Sequence, residues 1–181
     1  MKRFLSQMIL FSGAACFVAG CGGPTSAPEN KSSTESSETK PTTTTEVLLT
    51  SEPAGAKEVI DARKSAVNDE EVVLVGRIGG SENPWVDGRA VFSIVDNSLK
   101  ACSDIPGDGC AKPWDYCCET DKLPTAMALI KVVDEKGTLI NEDARKLLNL
   151  KELQTVVVKG KAQRDDAGNL TVFANGIFVR N

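Results

Sequence analysis

Residues 125–179 read TAMALIKVVDEKGTLINEDARKLLNLKELQTVVVKGKAQRDDAGNLTVFANGIFV, and their order of elements decides the fold. Thr125 to Val133 is an apolar, strand-like run closed by the turn residues Asp134-Glu-Lys-Gly137. Asn141 stands where it can cap a short helix, EDARKLLNL, with acids in the first turn to meet the positive end of the dipole. Thr155 to Gln163 is β-branched and reads as a strand, Asp165 to Asn169 turns the chain, and Leu170 to Val179 is another strand.

Upstream, Arg89 to Asp96 alternates, with Ala90, Phe92 and Ile94 on one side and Val91, Ser93 and Val95 on the other. Glu71 to Gly80 is a further β-branched run ending at a glycine pair. Before it, Ser51-Glu-Pro can start a helix, Ser at the cap and Pro in the first turn. Ala56, Val59, Ile60, Arg63, Ala66 and Val67 then share a face at helical spacing, and Asn68-Asp69 ends the element.

Three strands, a short helix and two more strands is the element order of the OB-fold, and residues 71–179 resemble it. Gly76 and Gly160 fall mid-strand, where a coiled barrel strand needs a bend or a bulge. The resemblance implies a mainly β protein: a small five-stranded Greek-key barrel with a helix between strands three and four. This chain adds an N-terminal helix and a cysteine-rich insertion between strands two and three. The OB-fold family includes an exported haem chaperone whose activity resides in a histidine. This chain has no histidine, so that function is not carried over.

The N-terminus reads MKRFLSQMILFSGAACFVAGC, with a basic start at Lys2 and Arg3 and an apolar run from Met8 to Ala19. That run has the proportions of a signal peptide and is too short to span a bilayer comfortably. It ends in Val18-Ala19-Gly20-Cys21, which resembles a bacterial lipobox. The resemblance implies a signal peptide over 1–20 and lipidation of Cys21, which tethers the protein without spanning, since two or more acyl chains anchor stably. The expected location is the cell envelope, on a membrane and facing the periplasm or the exterior. Residues 21–46 are mostly Ser, Thr, Pro, Glu and Lys with no aromatic residue, the composition of a disordered tether. Residues 47–181 are one domain in size.

Of the 21 basic residues two leave with the signal, so 21 − 2 = 19 stand against 25 acidic ones, a net charge of −6. That excludes a sequence-independent grip on nucleic acid, which rests on Lys and Arg contacts to phosphate. The missing histidine removes Ser-His and Cys-His catalysis, and there is no Cys-x-x-Cys redox motif. No acid–base constellation can be named, so the chain reads as a non-catalytic protein.

Of six cysteines, Cys16 leaves with the signal and Cys21 carries lipid. Cys102, Cys110, Cys117 and Cys118 remain, spaced C-x7-C-x6-C-C. In an exported chain this pattern leads to two disulfides and no cofactor, paired 102–117 with 110–118 or 102–118 with 110–117. The alternative is a metalloprotein or thiol-redox factor, with the four thiols on zinc or an iron–sulfur centre. Adjacency of Cys117 and Cys118 counts against that alternative, because neighbouring cysteines seldom aim both sulfurs at one ion.

Asn83-Pro-Trp85-Val-Asp-Gly88 and Lys112-Pro-Trp114-Asp-Tyr116 hold both tryptophans and the single tyrosine. Trp85, Trp114, Asp115 and Tyr116 are therefore the candidate binding residues, for a protein or small envelope ligand. The competing reading is that these rings cover the barrel end and hold the insertion down. Asp87, Asp96, Asp104, Asp108 and Asp115 follow no calcium-loop spacing and read as a solvated acidic rim.

Overall fold

The computed structural model describes residues 47–180. The signal peptide, Cys21 and the tether lie outside the described residues. The elements are β1 (Lys57–Glu58), α1 (Val59–Ser65), β2 (Glu71–Ile78), β3 (Trp85–Val86), β4 (Val91–Val95), α2 (Leu123–Ala126), β5 (Met127–Val132), α3 (Ala144–Leu148), β6 (Thr155–Arg164) and β7 (Leu170–Val179).

Five of the strands close on themselves. β2 pairs with β4, β4 with β5 and β6 with both β2 and β7, all antiparallel, while β5 and β7 run parallel. The cycle β2-β4-β5-β7-β6 is an OB-like barrel, mainly β, with α3 between its third and fourth strands as expected. Alternation decides which side chains enter. Ala90, Phe92 and Ile94 join Leu74, Ile78, Ile130, Val156, Val158, Val172 and Ile177 in one buried cluster. Val95 faces the other way, into a second cluster under the cysteine insertion.

Both mid-strand glycines sit where another backbone comes close. A Cβ on Gly160 would lie 2.2 Å from the Phe173 carbonyl oxygen, and one on Gly76 would lie 2.8 Å from that of Val95. Gly160 also marks a bulge, since Lys159 pairs with Gly176 and Gly160 with Ala174. The extra residue, Asn175, bends β7 around the barrel.

Four details differ from expectation. The N-terminal helix spans only Val59–Ser65, because Lys57 and Glu58 pair in parallel with Leu74 and Val75 instead of continuing it. Val67, expected on the buried face, lies past the helix end and is 66% exposed. The short helix is capped by Asp143, which accepts from the Arg145 backbone N–H at 3.0 Å, and not by Asn141. The third strand starts at Met127, after a helical turn with Pro124 near its start. Arg63 ties these parts together: its guanidinium donates to the carbonyls of Met127 at 2.8 Å, Pro124 at 2.7 Å and Gly168 at 3.0 Å.

Candidate functional site

The chain between β4 and β5 forms one folded-back loop, and its order comes from its backbone and from one aromatic ring. The Cys102 N–H donates to the Asp115 carbonyl at 2.8 Å and the Ser103 N–H to that of Pro113 at 3.0 Å. These bonds bring the two halves side by side, with a 3-10 turn at Cys102–Asp104 and another at Cys117–Glu119. Tyr116 is fully buried among Val95, Leu99, Ala101 and Ala126.

The glycine pair after β2 makes room for this seat. A Cβ on Gly79 would lie 2.7 Å from the Trp114 carbonyl and 2.9 Å from the Tyr116 ring. Arg77 on β2 completes the attachment, pairing with Asp104 at 2.5 Å while Asp104 also accepts from the Ala101 N–H at 3.1 Å. Burial pushes the Asp104 carboxyl up, but the Arg77 hydrogen bond and charge outweigh it and hold the group below its ordinary value.

This attachment gathers the cysteines. The sulfurs of Cys102 and Cys117 are 3.2 Å apart and those of Cys117 and Cys118 are 3.9 Å apart. Cys102, Cys110 and Cys117 each offer a sulfur within 4.8 Å of the other two. Asp108, Cys117 and Cys118 form a second such group. A zinc ion with bonds of about 2.3 Å sets its sulfur ligands about 3.8 Å apart, inside the range found here. The adjacent Cys117 and Cys118 share the second group, and Cys118 is not in the first.

All four cysteines are free thiols in the structure, where the sequence led us to expect two disulfides. Even the closest pair stands beyond the roughly 2.05 Å of a sulfur–sulfur bond. Cys102 is 2% exposed, Cys110 half-buried and Cys117 and Cys118 open to solvent. Burial, reinforced by contact with Cys117, pushes the Cys102 thiol up to about 12. Cys117 is drawn down by Cys102, yet contact with Cys118, burial and the nearby thiols leave it above its ordinary value. Raised in this way, the Cys102 and Cys117 thiols are weak nucleophiles.

The four expected binding residues separate. Trp85 on β3 is 5% exposed, tilted against Phe92 with centroids 5.6 Å apart, and donates from Nε1 to Glu152 at 2.6 Å. The Arg145 guanidinium lies 5.7 Å above its ring and is held by Asp143 and Asp87. Tyr116 is inside the loop seat, and Asp115 uses its carboxylate on the Tyr116 N–H at 2.8 Å. Trp114, like Asp115, is half-exposed, its Nε1 donating to the Glu82 carbonyl at 3.1 Å and the Lys112 ammonium 5.9 Å over its ring. The structure thus brings Trp114 and Asp115 to the cysteine loop and sets Trp85 in the barrel core.

Of the aspartates expected in a solvated rim, Asp96 is instead buried, accepting from the Ile60 N–H at 2.8 Å and the Ser98 hydroxyl at 2.6 Å, while Asp108 is exposed and also stands beside two thiols. The signal was its spacing: an aspartate two residues before a cysteine can turn the chain onto that residue's N–H, as Asp108 does with Cys110 at 3.0 Å. No family model matches the chain, and no curated protein matches it.

Proposed function

We propose that the chain is a lipid-anchored envelope protein, held through Cys21, whose OB-like barrel is a non-catalytic carrier for a thiolate metal centre. The single observation that carries this reading is the convergence of the Cys102, Cys110 and Cys117 sulfurs as free thiols on an already ordered loop. Three thiolates suit a soft, closed-shell cation, zinc or copper(I). An iron–sulfur cluster fits less well, because it holds its cysteines around a body of several atoms, wider than sulfurs this close together. Outside the cytoplasm the bound ion shields the thiolates, since it occupies the lone pairs that oxidation would use.

The 3.2 Å approach of Cys102 and Cys117 favours a second reading. Oxidation would join that pair and leave Cys110 to Cys118. The loop would then be a stapled recognition surface with Trp114 and Asp115 facing a protein or small envelope ligand.

Mass spectrometry of the purified protein separates the two. The metal reading expects four free thiols after denaturation and bound zinc or copper before it. Two disulfides would remove four hydrogens and leave no metal, which would overturn it. Anchoring is tested by incorporation of radiolabelled fatty acid, expected in the wild type and lost in Cys21→Ser.

A further inference from the structure

The sulfurs divide into two overlapping groups, and we infer that the loop holds two soft cations side by side, with the Cys117 thiolate bridging them. The first ion takes Cys102, Cys110 and Cys117, and the second takes Cys117, Cys118 and Asp108. This deepens the metal reading and rests on it.

Geometry supplies the argument. Each group has its three ligand atoms within 4.8 Å of one another, and only Cys117 belongs to both. Cys118 lies 3.9 Å from Cys117, a separation suited to two ligands of one ion. Asp108 accepts the Cys110 N–H at one carboxylate oxygen, which orients the side chain beside Cys117 and Cys118.

Charge is compatible with two ions. With all four sulfurs ionised as ligands, they and the Asp108 carboxylate carry five negative charges, which two divalent ions reduce to one. Neighbouring cations are already engaged. Arg77 pairs with Asp104 at 2.5 Å, Lys112 with Glu82 at 3.2 Å and Lys122 with Glu119 at 2.5 Å. A second divalent ion would supply the balancing charge for the exposed group. Binding is not a redox step: each thiol loses one proton to solvent as its sulfur takes the ion.

The test is zinc stoichiometry by native mass spectrometry on the full chain carrying Cys16→Ala and Cys21→Ala, reduced and handled without oxygen. Only the loop thiols then remain. Two zinc ions are expected in this background, one in Cys118→Ser and in Asp108→Asn, and none retained in Cys117→Ser. Circular dichroism checks that each variant keeps the barrel. A single ion in the background protein, unchanged by Cys118→Ser and Asp108→Asn, overturns the two-ion inference while keeping the metal reading. No ion retained after loading with zinc or, separately, with copper(I) overturns both.

Discussion

Acidification should release the metal with a steepness that counts its sulfur ligands. Burial and sulfur contacts hold the Cys102 and Cys117 thiols above their ordinary values, so they enter complex formation carrying protons. Each sulfur that becomes a thiolate ligand then releases one proton. For the trio Cys102, Cys110 and Cys117, the apparent association constant should rise about 1000-fold per pH unit across pH 6 to 7, or about 4 kcal/mol. The sign is fixed: affinity grows with pH and is lost on acidification. Competition against a chromophoric chelator at several pH values measures the slope, and calorimetry in buffers of different ionisation enthalpy counts protons directly. The first zinc should release three protons. The second should release one, from Cys118, because Cys117 is already ionised. Cys102→Ser should lower the first slope by one. A first-ion slope of one or less would refute the reasoning, since the sulfurs would then not be the ligands.

Other outcomes follow from the packing. The Tyr116 hydroxyl is buried with no hydrogen-bond partner among the described residues, so Tyr116→Phe should stabilise the protein by about 1 kcal/mol in a denaturant titration. The same burial raises the Tyr116 phenol to about 12. Its contribution to stability is complete below the ordinary value of 10.0 and is lost as pH rises toward 12, a decline that Tyr116→Phe should flatten. Gly160→Ala places a carbon 2.2 Å from a ladder carbonyl that cannot move freely, and should cost about 3 kcal/mol by thermal or chemical melting. Arg77→Ala frees Asp104 and loosens the loop, so zinc affinity should fall about tenfold with little change in the melting of the barrel.

The barrel was legible because each of its five strands carries its own evidence. Arg89 to Asp96 alternates so cleanly that Phe92 and Val95 could be assigned to opposite faces, and they enter different buried clusters. Mid-strand glycines were equally readable, since only close backbone approach explains Gly160 in a β-branched run. Helix limits were not, because Ser51-Glu-Pro has the chemistry of a start while Lys57 and Glu58 find a strand partner far along the chain. Nor could β3 be seen: two residues, Trp85 and Val86, pair with Phe92 and Val91, too short for any period. The cysteines were visible as a spacing only. Whether Cys117 and Cys118 aim their sulfurs together depends on the backbone of one 3-10 turn, which composition does not determine.

What the sulfurs are for turns on whether the loop needs them to fold. A staple would be required if nothing else ordered the insertion, as its glycines, prolines and sparse apolar residues first suggest. Yet the loop has its own anchors: the Cys102 and Ser103 N–H bonds to Asp115 and Pro113, the buried Tyr116 ring, and the Arg77–Asp104 pair. With these anchors in place, the metal reading requires no staple to order the loop. Replacing all four loop cysteines by serine should therefore change metal-free stability by no more than about 1 kcal/mol, since only Cys102 is buried. Loss of two structural bridges would cost more, about 3 kcal/mol for one loop of this size. Denaturant melts of the metal-free wild type and the four-serine variant, each without reductant, measure the difference. Midpoints that nearly coincide fit a ligand set, and a large drop in the variant would make the cysteines a staple.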